Sequence, residues 1–133
     1  MKSILKRLNQ EKVLVSDGAW GTFLHKRGLQ PGECPELWNV TQRNDVLAIA
    51  KSYIDAGADM ILTNSFGGSP VKLAHYGLKD RASELNQAAA EISRQAAGDD
   101  HYVLGNIGPT GVMLMMGQVS EQEMYCLLYT SPS

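Results

Sequence analysis

Short apolar runs alternate along this chain with longer stretches of helical period. Three runs break into small and polar residues. Val13-Leu14-Val15 leads into Ser16-Asp17-Gly18-Ala19-Trp20-Gly21-Thr22, and Met60-Ile61-Leu62 into Thr63-Asn64-Ser65-Phe66-Gly67-Gly68. Tyr102-Val103-Leu104, extending to about Ile107, leads into Gly108-Pro109-Thr110-Gly111. A short apolar run bounded by turn residues reads as a buried strand. The runs start 47 and 42 residues apart (13, 60, 102), room for a helix in each interval. The pattern predicts parallel βα units, whose functional groups gather at the C-terminal strand ends.

The helical stretches follow from spacing. Val46, Ile49, Ala50, Tyr53 and Ile54 fall on one face, with Thr41 as expected N-cap and Gly57 as stop. Ser69-Pro70 reads as N-cap plus N1 proline of a short helix that reaches Tyr76 and stops at Gly77. A longer helix, about Lys79 to Ala97, is expected to bury Leu85, Ala88, Ala89, Ile92 and Ala96 and to end at Gly98. Ile4, Leu5 and Leu8 predict an amphipathic leading helix. Gly18 to Val40, interrupted by Gly21, Gly28, Pro31, Gly32 and Pro35, is expected to be a long irregular connection. Trp20, Phe23, Leu24, Leu37 and Trp38 argue that it is packed, because disordered segments are poor in aromatics. Ser120-Glu121-Gln122-Glu123 is a capping box that should open a last helix. After Tyr125 the amphipathic period is lost, and Pro132 cannot continue a helix. The expected division is a partial domain over 1–125 and an aberrant or truncated tail over 126–133.

Composition narrows the function. The chain has 133 residues, 44% hydrophobic and 20% charged, as in ordinary globular proteins, and falls well short of the roughly 250 residues of a closed (β/α)₈ barrel. A net charge of −2 offers no basic footprint for nucleic acid. No apolar stretch approaches the roughly 18 residues of a membrane span. The N-terminus has no secretory pattern, so the expected location is cytoplasmic. Cys34 and Cys126 lie far apart, and a disulfide is not expected in a reducing compartment.

Candidate chemistry sits after the apolar runs. Asp17 at a strand end could hold a substrate ammonium, and Gly18 lets a ligand approach the backbone; Asp-Gly is equally a common turn pair. The hydroxyl of Thr63 and the amide of Asn64 could bind a carboxylate, or could close their own Asx or ST turn. Gly108-Pro109-Thr110-Gly111 matches neither a dinucleotide nor a P-loop fingerprint. His25, His75 and His101 share no metal-ligand spacing with the cysteines. Met113, Leu114, Met115 and Met116 form an apolar patch beside the expected mouth.

Four motifs in order resemble the homocysteine S-methyltransferase family: Asp17-Gly18-Ala19-Trp20-Gly21-Thr22; Pro35-Glu36-Leu37-Trp38-Asn39; Tyr53 to Asp59 running into Ile61 to Gly67; and Gly105 to Gly111. Leu73 to Leu78, around Tyr76-Gly77, fits too. The resemblance covers residues 10 to 125 and extends to the N-terminal homocysteine-binding module of the cobalamin-dependent branch. It implies an α/β fold, the first three or so βα units of a (β/α)₈ TIM barrel. It also implies methyl transfer to the homocysteine thiol, giving methionine. The family's zinc is held by three later cysteines and makes the thiolate available; none of the three is present here. Cobalamin and methyltetrahydrofolate would come through downstream modules, and betaine or S-methylmethionine are donors in related branches. By the same resemblance Asp17 and Gly18 contact the homocysteine amino group and backbone, with Thr63 and Asn64 beside them. Two other readings stand: a (β/α)₈ enzyme of aldolase type, which would want a lysine at a strand end, where none of Lys51, Lys72 and Lys79 falls, and a non-catalytic half-barrel interaction module.

Overall fold

The computed structural model describes residues 3–11 and 13–129. The elements are α1 (Ile4–Glu11), α2 (Trp20–Lys26), α3 (Trp38–Thr41), α4 (Arg43–Asp55), β1 (Met60–Leu62), α5 (Pro70–Ala74), α6 (Ala82–Ala97), β2 (Tyr102–Leu104) and α7 (Glu121–Tyr129). Single 3₁₀ turns precede α3 and α6 and follow β2. The fold is mixed α/β. β1 and β2 pair in parallel, Met60 opposite Tyr102 and Leu62 opposite Leu104, with α5 and α6 in the crossover.

The α4 and α6 periodicities predicted from sequence hold. Val46, Ile49 and Ala50 of α4 and Leu85, Ala88, Ala89 and Ile92 of α6 are buried, while Ala96 is half-buried. The alanines leave little bulk between α6 and its neighbours. Each fully buried Leu or Ile contributes roughly 1.5–3 kcal/mol. Gly57 has φ +97° and closes α4 where a side chain would be strained. Ser69 caps α5 through Lys72 N–H (3.2 Å), and Pro70 opens the helix. Ser120 and Glu123 form the predicted capping box: Ser120 N–H donates to Glu123 Oε2 at 2.8 Å and Glu123 N–H to Ser120 Oγ at 3.2 Å.

Four expectations are corrected. The Val13–Val15 run forms no regular strand and meets the sheet at a single parallel bridge, Ser16 to Met60. The reason is that carboxylates displace backbone on both sides of it: Asp59 Oδ2 takes Val15 N–H (2.9 Å) and Asp17 Oδ2 takes Leu62 N–H (2.8 Å). The connection from Gly18 to Val40 is not irregular throughout; it contains α2, most of α3 and a 3₁₀ turn, and Leu24, Leu29 and Trp38 join Val46, Ile49 and Ile92 in one core cluster. Thr41 does not cap α4. It ends α3, its hydroxyl donates back to Leu37 C=O (3.1 Å), and Gln42 takes the cap position with no side-chain bond. The last helix opens at the predicted capping box and runs to Tyr129, while Pro132 and the rest of 130–133 lie outside the described residues. The third apolar run is a strand only to Leu104, because side chains take over its pairing beyond that point.

The leading helix forms as expected, but its apolar residues do not anchor it: Leu5 is 69% exposed. Arg7 does, pairing with Asp59 and Glu11, donating to Asp100 C=O and lying over the Tyr102 ring.

Candidate functional site

The geometry of the strand ends follows from how a parallel ladder runs. Each residue directs its N–H and C=O to two residues on the neighbouring strand, one on either side of its own partner. Between β1 and β2 the regular pattern reaches Thr63 N–H donating to Leu104 C=O at 3.0 Å. The next step would give Asn106 N–H to Thr63 C=O and Ser65 N–H to Asn106 C=O. Instead Asn106 N–H donates to Thr63 Oγ1 (2.9 Å) and Ser65 Oγ donates to Asn106 C=O (2.7 Å). Two hydroxyls have replaced a carbonyl and an amide. Ser65 N–H turns back to Thr63 C=O (2.9 Å), so the chain leaves the sheet while Asn106 stays held.

The same substitution occurs at Asp17. Its N–H makes the regular bond to Met60 C=O (3.0 Å). The next ladder bond, Leu62 N–H to Asp17 C=O, is taken by the carboxylate, Oδ2, at 2.8 Å. Oδ2 also accepts Trp20 Nε1–H (2.7 Å), and Oδ1 accepts Ser16 Oγ–H (3.1 Å). A carboxylate offers about four acceptor positions, so three donors leave Oδ1 with capacity. Asp17 is half-buried and has no Lys, Arg or His partner among the described residues. Burial, and secondarily this negative charge, raise the Tyr53 phenol above its ordinary pKa. Tyr53 Oη donates to Ala19 C=O (2.9 Å) and stands 3.3 Å from where a Cβ at Gly18 would lie, which limits position 18 to glycine unless the ring moves.

Asn64 faces inward. Its amide donates to Pro35 C=O (3.0 Å) and Asn39 Oδ1 (2.9 Å), and Asn39, fully buried, donates to Asn64 C=O (2.8 Å) and Leu85 C=O (3.2 Å). Glu36, 3% exposed, accepts Gly67 N–H (2.6 Å) and the Cys34 thiol (3.4 Å). These bonds bind the long connection to the β1 end. Burial pushes the Cys34 thiol up to about 11. The structure therefore brings Asp17, Thr63 and the β2 end together around β1, and commits Asn64 to the loop beneath. Sequence reasoning missed Glu36, Asn39, Ser65 and Asn106. The available signal was polar residues inside apolar motifs, Glu36 between Pro35 and Leu37 above all.

Elsewhere, His25 and His101 close local turns on Leu29 and Ala97 carbonyls. A cleft of about 340 Å³ lies on the helical side, lined by Cys34, Leu37, Trp38, Thr41, Tyr76 and Leu78 among others, and includes no strand-end residue. Phe66, Ile107, Met113 and Met115 are exposed beside the strand ends. Among the described residues no three His, Cys, Asp or Glu side chains converge, and no helix is long and apolar enough to cross a membrane. Cys34 is buried just before the 3₁₀ turn that leads into α3, and Cys126 is exposed on α7. This donor set does not fit a three-cysteine zinc centre.

The family model for homocysteine S-methyltransferase matches residues 14–129. The chain belongs to that family. It is 36% identical over 113 residues to a methionine synthase of Mycobacterium leprae (strain TN) and 35% identical over 113 residues to one of Mycobacterium tuberculosis (strain ATCC 25618 / H37Rv), covering 74% of this chain in each case. It spans about 9% of the length of either relative. Among solved structures it is similar to the homocysteine methyltransferase MmuM from Escherichia coli. In the metallated form the TM-score is 0.68 at 26% identity, covering 80% of this chain and 41% of the other; in the oxidised form it is 0.65 at 25%, covering 78% and 40%.

Proposed function

We propose that this homocysteine S-methyltransferase chain supplies the amino-acid end of a homocysteine pocket, as the first three or so βα units of a (β/α)₈ barrel. The whole protein would transfer a methyl group to the homocysteine thiol to give methionine. Asp17 is the observation that carries the reading. A half-buried carboxylate that holds three neutral donors and lacks a cationic partner is an acceptor for a substrate ammonium. Gly18 beside it keeps the backbone open to the ligand. Thr63 and Asn64 shape the mouth, since their donors are engaged within the protein. The zinc, the methyl donor and any cobalamin or methyltetrahydrofolate would be held by other parts of the protein.

The test is calorimetric titration of the 133-residue chain with L-homocysteine under reducing conditions. Saturable binding is expected, weakened tenfold or more by Asp17→Asn, the size of one charge-assisted hydrogen bond. A wild-type chain that binds no homocysteine defeats the proposal. Stoichiometric zinc together with methyl transfer by this chain alone would overturn the division of labour. A second reading, a non-catalytic interaction module, is favoured by the exposed Ile107, Met113 and Met115. A concentration-dependent molecular mass with no homocysteine binding would support it.

A further inference from the structure

Among the described residues, the hydrogen bonds and ion pairs that tie α1 to the sheet all come from one side chain. The Arg7 guanidinium spends its N–H groups on three separate acceptors: Nη2 on Asp59 Oδ1, Nη1 on Asp100 C=O (3.3 Å) and Nε on Glu11 Oε2 (3.1 Å). It also stands 5.8 Å from the centre of the Tyr102 ring. The apolar residues of the helix add little. No residue of α1 is buried, Leu5 and Leu8 are exposed, and neither joins a core cluster. Asp59 divides its polar groups between α1 and the sheet. Oδ1 serves Arg7, while Oδ2 accepts Val15 N–H (2.9 Å), the amide donates to Val15 C=O (2.8 Å) and the carbonyl accepts Tyr102 N–H (3.0 Å). Three of those four bonds join the strands and do not involve α1.

We propose that α1 is a releasable strap over the N-terminal ends of the strands, latched by Arg7 alone and opened by salt without loss of the sheet. Asp59 immediately precedes β1, Asp100 lies two residues before β2, and Tyr102 opens β2, so the latch sits at the strand ends opposite Asp17 and Thr63. A helix of eight residues does not persist alone in water, so α1 stays helical only while docked. Release and unravelling are then one event. The latch is ionic, and screening acts on it: the Debye length falls from about 30 Å at 0.01 M salt to about 3 Å at 1 M. The sheet keeps its own bonds at Asp59 when Arg7 leaves. Elements with few buried apolar contacts open at lower cost than the whole fold. Opening bares Asp59 Oδ1, Asp100 C=O and a face of Tyr102. Two acceptors and an aromatic face are the chemistry that takes a guanidinium, here filled from within the chain.

The experiment is amide hydrogen exchange of the full chain, read by mass spectrometry at about 0.01 M and about 1 M sodium chloride. The amides of Leu8 to Glu11 should be protected at low salt and exchange about tenfold or more faster at high salt, while α4 and α6 keep their rates. Arg7→Gln should exchange at the high-salt rate at both concentrations, with the denaturation midpoint of the wild type. Arg7→Lys, whose single ammonium cannot serve three separate acceptors, should fall between the two. Leu5→Ala should leave the exchange unchanged. If Arg7→Gln keeps the wild-type protection, or Leu5→Ala loses it, apolar contacts hold α1 and the latch falls. If α1 is unprotected at low salt, or exchanges only together with α4 and α6, or if Arg7→Gln lowers the midpoint, there is no separate strap and the proposal falls.

Discussion

At the Asp17 end of the sheet a carboxylate takes the place of a ladder carbonyl; at the Thr63 end two hydroxyls take the place of a carbonyl and an amide. Both let the strand end early while its neighbour stays attached. They differ in what is left over. The Asp17 carboxylate keeps a charge and acceptor capacity after three donors. The Thr63–Ser65 pair keeps no proton. One end therefore builds the fold and keeps room for a further donor, while the other can only hold something else in position. Strand-end polar residues are thus told apart by their unspent capacity, not by residue type.

The largest test of this comparison is steric. A Cβ at Gly108 would lie 2.2 Å from Phe66 C=O, a backbone atom that cannot swing away. Gly108→Ala should push the β2-end turn off the β1-end loop and cost about 3 kcal/mol, read as a drop in the denaturation midpoint. An unchanged midpoint would mean the two loops are not locked together.

Asp17 comes next. Asp17→Ala strands Leu62 N–H and Trp20 Nε1–H and should cost about 2 kcal/mol of stability. Asp17→Asn retains an acceptor oxygen and should cost less than half of that while still removing the charge. Equal destabilisation by the two would show that charge, not hydrogen-bond geometry, holds this end. At the other end Thr63→Val should cost about 1 kcal/mol by leaving Asn106 N–H without its acceptor, and Thr63→Ser should recover most of it.

The smallest effects are in pH. Cys34, raised to about 11 chiefly by burial, stabilises the fold in its neutral form. That contribution is complete below the ordinary thiol pKa near 9 and is lost as pH rises through about 11. Stability measured from pH 8 to 11 should fall in the wild type and fall less in Cys34→Ala. At pH 8, exposed Cys126 should be alkylated well before Cys34. Simultaneous modification would mean the connection around Cys34 opens readily.

Much of this was legible in the chain. The period of α4 and α6, the Ser69-Pro70 cap and the Ser120–Glu123 box are local, each decided by residues within one or two turns, and all four formed as the spacing predicts. The motifs that resemble the family were also local and contiguous, which is why the family could be read before the fold. The failures share a cause. Val13 to Val15 has a good strand composition, yet carboxylates at Asp17 and Asp59 took its ladder bonds, and Asp59 lies 44 residues from the Val15 amide it binds. Thr41 looks like a cap only until α3 fills the position before it. α2 was hidden by the glycines that flank and enter it.

The sequence by itself determined the alternation of apolar runs with amphipathic helices, the places where helices start and stop, and the polar clusters after each run. It did so because side-chain period and capping act over a few residues of chain. Only the tertiary structure decided what those polar residues do. Asp17 meets Leu62 across 45 residues, Thr63 meets Asn106 across 43, and Glu36 meets Gly67 across 31. Whether a donor is spent or left over depends on which distant backbone group arrives beside it, and that is set by packing α4 and α6 against the sheet.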